Sequence, residues 1–323
     1  WRRHQPSLKT CINYCIRLLS FFNLNKRKEE HMPAMDDNDN GSLQGLLCAI
    51  FATFCWALTG VFIRFLDMPS SAMIIFGRLI IAAMVIMPLV IRDKDALVQA
   101  IRSPLSLLMA LYYIFATEAF VRSTIAEVVL IVGLTPLIVL FIERYYGQKI
   151  DANAILGACI AVFGLAAFIF PSLSEFDEKR LSGDIFAFAA AIVSAFFAVG
   201  IRRRILNNNP VKILSLTFVT FCYGIILSGG LVYLNNPTFD VSLTQNNVVF
   251  LIALGVISTA LPTLLFGLSA ARLSSVTTAS ITLLTPIWAA AIGGILISEW
   301  PSPLSVPGGI ITLIGLWFII RKK

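Results

Sequence analysis

Apolar residues in this chain run in blocks far longer than the strands and amphipathic stripes of a water-soluble core. The blocks are broken by short polar or charged punctuation. A bilayer's hydrocarbon layer is about 30 Å thick and takes about 20 helical residues to cross. Runs of that order fall near 43–65, 72–91, 103–121, 124–146, 153–170, 183–201, 213–234, 247–268, 274–298 and 303–320. The pattern predicts ten transmembrane helices, several joined by very short connections such as Arg122 and Ser123.

Composition sharpens this reading. Of 323 residues 58% are hydrophobic and 13% charged, too little charge to wet the surface of a soluble domain of this size. The net charge of +7 does not imply a nucleic-acid partner, because the basic residues sit in short runs between apolar blocks rather than on one face. They report orientation instead, since Lys and Arg are retained on the cytoplasmic side. With the N-terminus inside, the cytoplasmic segments collect Arg92, Lys94, Arg102, Arg144, Lys149, Arg202 to Arg204, Lys212, Arg272 and Arg321 to Lys323. The other side collects Arg64, Arg122, Lys179 and Arg180. The bias predicts a multi-pass protein of the plasma (inner) membrane with both termini in the cytoplasm. His4 and His31 precede the first block, so the membrane region holds no imidazole, and the six cysteines show no CxxC spacing. These facts argue against a metal site or a metalloenzyme, and no cofactor is expected.

The chain divides into a tail at 1–42, a first unit at 43–170, a linker at 171–182 and a second unit at 183–323. Within the tail, KTCINYCIRLLSFFNL is spaced as an interfacial amphipathic helix too short to span. Met32 and Met35, just before DDNDN, are plausible initiators.

The two units are related. RSTIAEVVLIVGLTP, Arg122 to Pro136, aligns with RLSSVTTASITLLTP, Arg272 to Pro286, sharing Arg, one Ile and the Leu-Thr-Pro. Gly157 and Gly164 then correspond to Gly308 and Gly315 after a one-residue gap, and Gly45 to Arg64 resembles Gly183 to Arg202 more weakly. Five spans per unit is odd, so the second copy enters the membrane upside down, as an inverted repeat. Such pairs expose a midplane site alternately to each side, and interrupted helices at equivalent positions point to that site. Pro136 and Pro286 supply the interruptions, each freeing a backbone carbonyl. The plainer alternative is that each proline only kinks its helix.

These features resemble the drug/metabolite transporter (DMT) superfamily, in particular the EamA family of ten-helix transporters built from two five-helix repeats. The resemblance covers residues 43 to 320. It rests on the proline in the fourth and ninth helices, the Gly-rich fifth and tenth, and TPIWAAAIGGILISEW, which puts Glu299 thirteen residues after Pro286 where the family has a Gly-Glu-Arg-like turn. The first unit departs from it, with Gln148 and Lys149 at that turn and Glu143 five residues early. Trp56 and Arg78 also resemble common features of the first two helices. The resemblance implies an all-α integral membrane fold and transport rather than catalysis.

Ionisable groups inside a span are costly and usually face a partner or a cavity. Arg78, Glu118 and Glu127 are therefore read as lining the outward part of a translocation path, a Glu serving as a proton-coupling site; the alternative is a structural ion pair between helices. Trp56, Tyr112, Thr277 and Trp288 complete the candidate solute-binding set, with Tyr113 a similar candidate. The function expected is a secondary transporter moving a small polar or amphiphilic metabolite, amino-acid-like, by alternating access as an exporter or permease. Its partners are the bilayer and a small-molecule solute, with a coupling proton and a homodimer left open. No GxxxxGK[ST] is present to bind ATP. A membrane-embedded lipid-modifying enzyme and a channel or structural subunit are the alternatives, the first lacking His, Asp and Ser clusters and the second lacking rings of like charge.

Overall fold

In the computed structural model of the protein the residues described are 39–66, 70–123, 128, 131–169, 178–235, 244–297 and 303–320. The proposed interfacial helix of the tail, Met32 and Met35 lie outside them. The regular structure among the described residues is helical: α1 Asp39–Arg64, α2 Ser71–Val90, α3 Lys94–Ile101, α4 Pro104–Arg122, α5 Thr135–Tyr145, α6 Ala152–Ile169, α7 Glu178–Leu206, α8 Ile213–Asn235, α9 Gln245–Gly255, α10 Leu261–Arg272, α11 Ser275–Ile281, α12 Leu284–Ile297 and α13 Val306–Ile320. A π-helical turn at Val256–Ala260 joins α9 to α10, so these three pieces form one continuous eighth span.

Six of these stretches are long and apolar enough to cross a bilayer unaided, and the helices of the fifth and tenth spans, α6 and α13, are shorter apolar segments. The fourth and ninth blocks differ from a simple span because each is broken. Turns at Gly133–Leu134 and at Thr282–Leu283 interrupt them, ending two and three residues ahead of Pro136 and Pro286 respectively, whose rings cannot continue the preceding helix. The freed carbonyls are answered locally, as hydrocarbon requires. Val132 O, the acceptor Pro136 leaves without an amide donor, takes the Thr135 hydroxyl at 2.6 Å. Thr282 O, the equivalent for Pro286, takes the Thr285 N–H at 2.9 Å.

The alternating direction of the spans shows in what meets at each end. At one face Lys212 Nζ reaches Asp93 Oδ2 at 2.6 Å, the Arg203 guanidinium lies 3.4 Å from the centre of the Tyr146 ring, and Gly45 abuts Leu273. At the other, Ser123 Oγ donates to Asp184 at 2.6 Å and Ser71 Oγ donates to Glu118 at 2.8 Å. The short α3, capped by Asp93, lies on the first face in what the hydropathy pattern leaves as a charged loop.

Several contacts between the units follow a twofold pattern. The fifth span packs on the tenth, the second on the seventh and the fourth on the ninth; the third-with-seventh contact is matched by the second with the eighth. An axis exchanging each helix with the one five later produces this set, the geometry of an inverted repeat. The α6–α13 seam is built by the four glycines of the repeat. An ideal Cβ on Gly157 would stand 2.7 Å from Gly315 O, while one on Gly164, Gly308 or Gly315 would collide with the backbone of Thr312, Phe168 or Ala161 respectively. Only the missing side chains let these backbones approach so closely.

Candidate functional site

Between the units lies a cavity of about 90 Å³, well above the roughly 10–15 Å³ that holds one water. Both helix breaks open onto it. Val132, Gly133 and Thr135 from the fourth span face Thr282, Leu283, Thr285 and Pro286 from the ninth. The repeat is visible in the wall itself: Thr135 and Thr285 are the two Thr of Leu-Thr-Pro, and Trp56 and Ser194, also lining, sit equally far beyond Gly45 and Gly183. Thr59, Thr117, Tyr112 and Tyr113 add further polar groups.

Arg78 is the charged side chain among the described lining residues, and only 4% of it is exposed. Its Nε donates to Thr259 Oγ1 at 2.9 Å, and its guanidinium carbon sits 5.0 Å from the centre of the Tyr113 ring, a cation–π distance. Thr259 Oγ1 in turn donates to Leu254 O at 2.8 Å, and the Tyr113 hydroxyl is hydrogen-bonded to Thr263 Oγ1. The π-turn sets this network. Pro262, buried near the start of α10, has no N–H to continue the α-ladder. The widened turn takes up the mismatch, the Leu261 N–H reaching back five residues to Val256 O. Thr259 is thereby directed at Arg78, and Gly255 lets the eighth span lie against Arg78 O and Ile81, which its ideal Cβ would approach to 2.9 and 2.8 Å. Beyond Nε, the guanidinium has no hydrogen bond or ion pair among the described residues.

The candidates fall into three groups. Trp56, Arg78, Tyr112 and Pro286 line the cavity; Trp56 packs on Phe266 with ring centres 5.2 Å apart, and its Nε1 is buried without a hydrogen-bond partner among the described residues. Glu118, Thr277, Trp288 and Pro136 stand outside the lining. Glu118 pairs with Arg122 at 3.0 Å and accepts from Ser71 near the end of the third span, so it is not brought to Arg78. Thr277 bonds Ser274 at 2.7 Å at the start of α11, Trp288 meets Phe54 edge-on at 5.7 Å, and Pro136 is buried behind Thr135. Glu127 and Glu299 lie outside the described residues. Sequence reading missed Thr259 and Thr263; their one available signal was a proline, Pro262, inside an unbroken apolar run.

The EamA-like transporter family matches residues 43–170 and, a second time, residues 181–321. The two matches take in most of the chain and one falls on each five-helix unit. The chain belongs to the EamA-like transporter family. This EamA protein is thus a multi-pass membrane protein of a transporter family, with the drug/metabolite transporter architecture. Its fold is also that of a solved crystal structure 17% identical to it, with a TM-score of 0.66 over 85% of this chain and 95% of the other. No curated protein matches the chain in sequence.

Proposed function

We propose that this EamA protein is a secondary transporter that carries a small polar or amphiphilic metabolite by alternating access. The observation that carries the reading is the meeting of both helix breaks, one from each unit, in a single cavity. In an inverted repeat, rocking one unit against the other about such a cavity opens it to each face in turn. The glycine seam of α6 and α13 is the natural fulcrum, since its backbones interlock with no side chain between them. Export or permeation across the plasma membrane, with both termini cytoplasmic, belongs to the same proposal and is supported by the basic residues of the face holding Arg203 and Lys212.

A coupling proton falls on Glu127 in this reading, on sequence grounds, because Glu118 is held by Arg122 and Ser71. The test is counterflow in proteoliposomes preloaded in turn with amino acids and small organic acids, with and without a pH gradient. Saturable exchange of one solute class is the expected result. A chemical conversion of the solute, or unsaturable ion flux, would assign the chain to a membrane enzyme or a channel instead.

A further inference from the structure

We infer that Arg78 is the subsite for a single carboxylate on the transported solute. The inference rests on the transport reading and names its substrate class. A guanidinium inside a span is costly to keep unless something pairs with it, and this one faces no described carboxylate. Its orientation is nevertheless fixed. Nε is committed to Thr259 at 2.9 Å and the Tyr113 ring lies 5.0 Å away, and the two terminal nitrogens have no partner among the described residues. Parallel N–H donors on a planar guanidinium match the two oxygens of a carboxylate in a bidentate pair.

The backbone contributes in the same sense. The helices that resume after the two breaks, α5 and α12, reach the cavity wall in their first turns, at Thr135 and at Thr285 and Pro286, and α5 has no side-chain cap. Helix N-termini carry partial positive charge, which favours an anion beside them. One full positive charge is balanced by one negative charge. Since no described carboxylate offsets this charge, a phosphate monoester would bury an uncompensated second charge, and a neutral solute would leave the arginine without an ionic partner among the described residues. The rest of the solute meets Trp56, Tyr112 and the hydroxyls of Thr59 and Thr117, a setting for a small amphiphilic body with few charged groups.

The test is thermal unfolding of the full chain in detergent with matched probes: isovalerate against isovaleramide, leucine against leucinamide, and isoamyl phosphate. Ligands that bind only the folded state raise the unfolding temperature. The acids are expected to stabilise the unmodified protein while the amides and the phosphate ester do not. In Arg78→Gln the acid affinity should fall roughly 10- to 100-fold, the loss expected for a charged hydrogen-bonded pair, with Arg78→Lys intermediate. Equal stabilisation by acid and amide, no response to either acid, or a Gln variant that keeps the full response overturns the inference. The acid–amide comparison in the unmodified chain decides the matter even where a variant fails to fold. Counterflow separates the two readings: acid-selective binding without exchange removes the transport proposal and leaves the subsite, whereas exchange indifferent to the carboxylate does the reverse.

Discussion

The two units of this EamA protein meet in two contrasting ways. Along the α6–α13 seam, Gly157, Gly164, Gly308 and Gly315 remove side chains so that backbone lies on backbone. A few helices away, around the breaks of the fourth and ninth spans, the same twofold relation leaves space, and Thr, Ser, Tyr and one Arg face it among apolar neighbours such as Phe120, Leu165 and Leu283. Both regions come from repeated segments of sequence. Small residues on intact helices give dispersion-packed contact, which is the main attraction available where lipid removes the hydrophobic drive. Proline with hydroxyls on broken helices gives a cavity, because the loosened backbone brings its own polar groups and they require partners. A rigid seam beside a polar opening is what a rocking carrier needs.

Gly315→Leu breaks the contrast most directly. An ideal Cβ there already collides with the Ala161 backbone, so the larger side chain should cost about 3 kcal/mol or more, at the upper end of overpacking, and collapse the yield of monodisperse protein in size-exclusion chromatography. Gly230→Ala is the control: nothing lies within 4 Å of its ideal Cβ, and its thermal unfolding should hold steady or rise.

On the polar side, Thr259→Val removes the acceptor of Arg78 Nε and leaves a buried charged donor bare, at about 2–3 kcal/mol. Thr259→Ser, which restores the oxygen, should recover most of that stability in the same unfolding assay. A Thr259→Val variant as stable as the unmodified protein would show that Thr259 does not hold the arginine.

Pro286→Ala supplies an N–H and lets the helix run on through Thr282 and Leu283. About 1 kcal/mol of added stability should accompany a several-fold slower counterflow rate, since the ninth span then closes over the cavity. Unchanged flux would separate the break from transport.

Glu118→Gln should be mildest. Its pair with Arg122 is partly solvated, the two side chains being 13% and 42% exposed, so the loss should stay below about 1 kcal/mol. Exchange that is unimpaired in this variant and abolished in Glu127→Gln would place any proton coupling on the latter.

The spans, the repeat and the two breaks were legible in the sequence because each is a local property. An apolar run states which solvent its backbone will meet, a matched Leu-Thr-Pro states where two helices lose an amide donor, and paired glycines state where helices can touch. Trp56, Arg78 and Tyr112 stand out in the sequence because costly or amphipathic side chains inside a span are few, and the fold places them in the cavity wall. Glu118 could not be separated from Arg78 in this way: both are charges within apolar runs, yet one pairs with Arg122 on its own helix and the other lies by the cavity.

Contacts across the fold were settled elsewhere. That Arg78 meets Thr259, 181 positions away, or that Ser194 shares a wall with Trp56, depends on how each helix is rotated and where it crosses its neighbours. Those quantities follow from packing of the whole bundle, and a hydropathy pattern, which records one residue's preference for lipid at a time, carries no trace of them.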